Sequence, residues 1–253
     1  MNRSNLSQLK FGTGLFALFV AACLPVTTAS AQTTEAVQAA SATSGFVMPE
    51  TEVWDMESAH GEDYRIYVSR PDGEAPEGGY PVLYVLDGNA MFASFAEARR
   101  IHSVYDKGRD KMIVVGIGYP NNDLYDGRRL GDFTAPVKTP ELKSMFAAYP
   151  SGKRDQFREF LLNEVRPEIE RRFSVNKKRQ SLFGHSLGGL FALHVLYSHP
   201  GEFFAIIAAS PSIWWDSQAI LEEERAFASR LMKKPFPTSR VVVLAGELEE
   251  EEI

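Results

Sequence analysis

Five consecutive residues, Gly184-His185-Ser186-Leu187-Gly188, have the types and spacing that make a serine hydroxyl a nucleophile. An apolar run, Ser181-Leu182-Phe183, precedes them, and an apolar helix-like segment, Leu190 to Tyr197, follows. A serine on a sharp strand-to-helix turn holds a strained backbone, so the residues two before and two after it must be small. Gly184 and Gly188 supply that space. The hydroxyl is then exposed at the positive end of a helix, where an oxyanion is stabilised. The plainer alternative is a glycine-rich turn that merely caps the helix; the strand before and the helix after count against it.

Serine attack on an ester or amide carbonyl needs two donors for the oxyanion, a base within reach, and usually a carboxylate that orients the base. One donor is the backbone N–H of Leu187, at its helix N-terminus. The second is expected at the end of a neighbouring strand, where Asp87-Gly88-Asn89 nominates the Asn89 N–H. Arg128 and Arg129 are candidates for steering an anionic substrate, against the alternative of solvated arginines or a tie to Asp132. Trp214 and Trp215 are candidate walls of an aromatic or acyl pocket, with at least one of them expected in the core.

The base is the difficulty. In this type of site the order is serine, acid, histidine, so the histidine should follow Ser186 by a long interval. His60, His102, His185, His194 and His199 are the five available, and each reads as structural or exposed. His185 is the elbow's own neighbour, and His194 lies about two turns down the following helix. Glu247 or Glu249, after the last apolar run, is a candidate acid, although an acidic first helical turn explains both equally well. We therefore expect the base on a loop beyond Ile253, in a domain incomplete at its C-terminus, or else a degenerate site.

The elements that must position these groups read as follows. Thr51–Ser58 and Asp63–Ser69 alternate around His60-Gly61-Glu62, a hairpin signal. Pro81–Leu86, Met112–Ile117, Phe203–Ala209 and Arg240–Leu244 are apolar runs of the kind buried on both sheet faces. Met91–Val104, Arg154–Phe173 and Ser217–Met232 have helical spacing, with a kink expected at Pro167. Gly118–Ser151 reads as a long irregular loop, functional or mobile. Strands alternating with helices predict an α/β fold: a mostly parallel sheet, helices on both faces and an N-terminal antiparallel hairpin. Ligands of such sheets bind at the carboxyl ends of the strands, where Asp87–Asn89, Gly118–Pro136, Ser186 and Ser210–Trp215 converge.

The elbow resembles that of the α/β-hydrolase superfamily. LYVLDGN (Leu83–Asn89), VVGIGYP (Val114–Pro120), RRLGDFTAP (Arg128–Pro136), FGHSLGGLFAL (Phe183–Leu193) and SPSIWW (Ser210–Trp215) are similar, in type and spacing, to the putative esterase family. That family is related to esterase D and to the esterases that open iron-loaded enterobactin-type siderophores. The resemblance runs from about Thr51 to the end of the chain. It implies a serine nucleophile, no cofactor or metal, and an oxyanion donor after the Asp-Gly pair, which supports Asn89. It also implies that some members work with a Ser-His dyad and no acid.

A net charge of −6 argues against a general nucleic-acid binder. Residues 1–31 read as a signal peptide: Arg3 and Lys10, an apolar Phe11–Cys23 too short to span a bilayer, and Ala29-Ser30-Ala31 for cleavage. Val20-Ala21-Ala22-Cys23 resembles a lipobox, so the alternative to soluble export (periplasmic or secreted) is a lipoprotein anchored through Cys23. Residues 32–50 read as a flexible linker and 51–253 as the hydrolase domain; oligomeric state is not legible. The expected function is an exported esterase for small, siderophore-like or other esters. The rivals are acyl transfer at the same site and a binding protein without turnover.

Overall fold

A computed structural model describes residues 47–105, 111–233 and 239–252. The expected signal peptide, Cys23 and most of the expected linker lie outside the described residues. The described elements belong to one compact unit, Met48–Ile253.

Alternation along β1 (Thr51–Glu57) and β2 (Asp63–Ser69) produces an antiparallel hairpin, in register from Thr51 opposite Ser69 to Glu57 opposite Asp63. Gly61, at φ 78°, closes its turn. Glu50, the residue before β1, accepts a hydrogen bond from the buried Arg99 guanidinium, so 48–50 are tied to the fold. The hairpin joins the sheet through β2, antiparallel to β4 (Ile113–Gly118). From there β4, β3 (Tyr80–Leu86), β5 (Val175–His185), β6 (Ala205–Ala209) and β7 (Arg240–Leu244) are parallel, giving the order β1-β2-β4-β3-β5-β6-β7. The expected α/β architecture is what forms.

Alternation also divides the central strands between two cores. Val85 and Val114 face α1 (Gly88–Tyr105), meeting Phe92 and Ala96. Tyr84, Leu86, Val115, Ile117 and Leu182 face the opposite way, into the larger core. The loop expected after β4 folds into α2 (Arg129–Phe133) and α3 (Pro140–Met145), and Leu130 and Phe133 plug that core. The long amphipathic segment forms α4 (Arg154–Phe160) and α5 (Arg166–Arg172), separated by a π-helical turn at Leu161–Val165. The disturbance expected at Pro167 takes this form, because a widened turn relieves the clash of the ring with the carbonyl four residues earlier. The elbow helix α6 (Leu187–Ser198) is apolar all round and almost wholly buried.

The last helix, α7 (Ile220–Lys233), begins three residues later than the spacing predicts. Asp216, Ser217 and Gln218 all take positive φ (49°, 57° and 63°), which no right-handed helix accommodates. The Asp216 carboxylate holds this strained run by accepting from the Lys138 and Thr139 N–H groups and the Thr139 hydroxyl, at 3.1, 2.8 and 2.6 Å.

Candidate active site

Ser186 sits at φ 56°, ψ −119°, between the end of β5 and the start of α6. This is the strained conformation predicted for a nucleophile elbow, and backbone bonds hold it: Ser186 N–H to the Ala209 carbonyl at 3.0 Å, and Leu190 N–H to the Ser186 carbonyl at 3.0 Å. The two glycines are not equivalent. A Cβ on Gly184 would collide with the Gly188 carbonyl, so no larger residue fits there. A Cβ on Gly188 would meet Leu86 at 3.4 Å and the Asp87 carboxylate at 3.5 Å, which are ordinary contacts.

The same distances place α6 against the end of β3. Because β3 and β5 run parallel, with Val85 opposite Phe183, the 87–89 turn and the elbow leave the sheet at one edge. Asn89 and Leu187 lie in the first turns of α1 and α6, and neither N–H finds an acceptor among the described residues. Free donors on two helix N-termini that share a sheet edge with a strained serine are the parts an oxyanion hole uses. The Asn89 side chain is fully engaged elsewhere: Oδ1 accepts from Tyr119 N–H at 2.8 Å, and Nδ2 donates to the Tyr119 and Asn121 carbonyls at 3.1 and 3.0 Å.

The residue before Gly88 is strained as well. Asp87 takes φ 54°, and its carboxylate receives both arms of the Arg129 guanidinium at 2.7 and 2.8 Å. The carboxylate is buried, and Arg129 is largely covered beneath Tyr125 and over Phe133. Arg129 is therefore engaged by Asp87 and braces the 87–89 turn. Arg128 is half-exposed, stacked on Tyr119 at 4.7 Å and paired with Asp126 at 3.3 Å and Glu62 at 3.5 Å.

Neither arginine bonds to Asp132, contrary to the alternative raised from the sequence. Asp132 is instead buried against two phenols, accepting from Tyr64 at 3.1 Å and Tyr119 at 2.9 Å on the same oxygen. Burial pushes its carboxyl up to about 6, against the two hydroxyls that favour its charged form. Burial, and then the Asp132 charge, raise both phenols. The triad pins α2, and with it Arg128 and Arg129, to β2 and the end of β4.

The tryptophans divide as expected: Trp215 is buried against Phe146, and Trp214 is 54% exposed. Glu249 accepts from the Ser210 hydroxyl at 2.6 Å, at the exposed surface, while Glu247 lies on the same 3₁₀ turn (Glu247–Glu252). Among the described residues no histidine reaches Ser186 or Glu249. His194 is buried against Glu223 at 2.7 Å, His60 is near Glu159, His199 contacts Ser198, the ring Nδ1 of His185 is buried without a partner, and His102 is exposed. Among the described residues no cluster of three or more His, Cys, Asp or Glu is arranged to hold a metal.

One neighbour of Ser186 was not singled out by the sequence. Ser212 is buried, its hydroxyl is 3.1 Å from the Ser186 hydroxyl, and its N–H donates to the Ser186 carbonyl at 3.1 Å. A serine three residues past a strand end carries no signal of its own; only its place in SPSIWW, between the elbow's neighbouring strand and the tryptophans, could have marked it.

A family model described as "Putative esterase" matches residues 57–252. The ferri-bacillibactin esterase BesA of Bacillus subtilis (strain 168) is 40% identical over 211 residues, 81% of this chain and 73% of that protein. The siderophore triacetylfusarinine C esterase of Aspergillus fumigatus is 41% identical over 187 residues, 71% of this chain, which spans 62% of that relative. Among solved structures, the BES protein from Bacillus cereus superposes with a TM-score of 0.73 at 39% identity, covering 82% of this chain and 78% of that one. The elbow, the sheet order and these matches agree: the chain belongs to the putative esterase family, with an α/β-hydrolase fold.

Proposed function

We propose that the protein is an exported serine carboxylic-ester hydrolase, acting through an acyl-enzyme on Ser186 and opening siderophore-type or other small esters. The observation that carries this reading is the strained Ser186 at one sheet edge with the unpaired N–H groups of Leu187 and Asn89. Ser186 Oγ attacks the ester carbonyl and its proton passes to a general base. The carbonyl oxygen takes the negative charge between the two N–H groups, and collapse of the intermediate expels the alcohol. Water then repeats the sequence on the acyl-enzyme. The siderophore class is supported by what the relatives' names say of those proteins. Exposed Trp214 and Tyr125 and the half-exposed Arg128 offer aromatic and cationic contacts to such a substrate.

The test is hydrolysis of p-nitrophenyl esters together with covalent labelling by a fluorophosphonate. Both should disappear in Ser186→Ala, and activity retained in that variant would sink the assignment. A second reading is a binding protein without turnover, since among the described residues no histidine contacts Ser186. Binding of a small ester that is returned unhydrolysed, with no label on Ser186, supports it.

A further inference from the structure

We propose that Ser212 is a positioning residue for the nucleophile, donating its hydroxyl hydrogen to Ser186 Oγ; this rests on the hydrolase reading of Ser186. The backbone of Ser186 is over-determined, but its side chain is a single rotor with three staggered wells. Among the described residues the only hydrogen-bond partner of its Oγ is the Ser212 hydroxyl, at 3.1 Å. The 209–212 loop is built to hold that hydroxyl still. Ser212 donates its N–H to the Ser186 carbonyl, and Ser210 donates its N–H to the Leu244 carbonyl at 2.7 Å. Pro211 presses on Gly189, where a Cβ would lie 3.0 Å from the Pro211 Cα. All three constraints are backbone or proline contacts, so they survive loss of the Ser212 hydroxyl.

The direction of the bond follows from the chemistry. During attack the Ser186 hydrogen goes to the base and one lone pair goes to the substrate carbonyl. The other lone pair remains as an acceptor, and Ser212 has the hydrogen to fill it. That bond strengthens as Ser186 Oγ gains alkoxide character and weakens once the oxygen becomes an ester. It therefore favours the transition state over the acyl-enzyme, and it acts again when Ser186 Oγ leaves during deacylation.

Fluorophosphonate labelling of the full chain, followed by intact mass at several probe concentrations, separates probe binding from the bond-forming step. Ser212→Ala should lower the maximal labelling rate about three- to tenfold, the combined effect of a freed rotor and a lost hydrogen bond. The probe concentration at half-maximal rate and the melting temperature should not move. A crystal structure of Ser212→Ala should show Ser186 in more than one rotamer, against one in the parent. Labelling at the parent rate, or faster, overturns the proposal. If the parent itself takes no label at Ser186, the hydrolase reading fails, and the rotamers alone decide the role of Ser212: a single unchanged rotamer in Ser212→Ala overturns it.

Discussion

On the β3 side of Ser186, the Asp87 carboxylate is 1% exposed and meets Arg129 through two short bonds, while the Asn89 side chain makes three bonds to the 119–121 backbone. On the β7 side, Val241–Leu244 are all more than 40% exposed, and Glu249 is held by the Ser210 hydroxyl at the surface. The first flank carries Asn89, a proposed donor for a charge that would develop on the substrate, and such donors stabilise it only if they are already aimed. The second flank carries the candidate acid, and its attachments are the kind that contribute little. The difference places the tighter side-chain bracing on the β3 flank, around Asp87 and Asn89.

The elbow should be the point of least tolerance. In Gly184→Ala the new methyl meets a carbonyl oxygen that belongs to the α6 backbone, so relief requires moving the helix or the strand. We expect a loss of about 3 kcal/mol or more in stability and about a hundredfold loss of labelling at Ser186. Gly188→Ala, two residues past the serine, should keep both within a small margin, as a methyl there makes only ordinary contacts. Urea unfolding and label uptake on the pair measure the asymmetry, and equal damage in both variants would break it.

Next in size is Arg129→Met, which leaves a buried carboxylate beside the strained Asp87 backbone without its partner. Removing one member of a buried pair costs about 3–5 kcal/mol. Adding Asp87→Asn should recover part of the loss. A cost below about 1 kcal/mol in the single variant, read from the denaturation midpoint, would place this flank on the same footing as the other.

The backbone geometry of the candidate site was legible in the sequence because backbone chemistry leaves local marks. Ser186 and Gly184 are a strained turn and its clearance, and Leu187 and Asn89 follow from where two apolar runs end. The side-chain half was not legible, because partners distant in the chain decide it. Arg129 reads as free cationic surface until Asp87, forty-two residues away, is seen to take it. Asp132 reads as a partner for an arginine until two tyrosines from separate segments close over it. Ser217 and Gln218 fit a helical pattern, and only the bonds that Asp216 makes to Lys138 and Thr139 show why the helix starts later.

Asp132 gives the comparison a pH axis. Its folded pKa of about 6 lies above the ordinary carboxylate value, so the folded state binds the proton more tightly than the unfolded chain does. Stability is then greatest with the carboxyl neutral and falls as pH rises from about 4 through about 6. The gap corresponds to about 3 kcal/mol at neutral pH. In Asp132→Asn an amide oxygen can still accept from both tyrosines, so the variant should lose this slope and gain stability at pH 8. Urea midpoints between pH 4 and pH 8 measure it; an unchanged slope would mean that the carboxyl titrates normally.

The smallest effect belongs to the loosely tied flank. Glu249→Ala removes one hydrogen bond at the surface, where water replaces the lost acceptor on the Ser210 hydroxyl. Ser210, at φ 42°, keeps its N–H bond to the Leu244 carbonyl. The cost to folding should be under about 1 kcal/mol. Labelling of Ser186 should be unchanged if Glu249 only braces the loop, and reduced at the bond-forming step if it orients the base. That split is the sharper outcome, because a stability change alone cannot distinguish a brace from an acid. A loss of stability comparable with that of Arg129→Met would show that the two flanks are held equally, and the contrast drawn from their burial would fail.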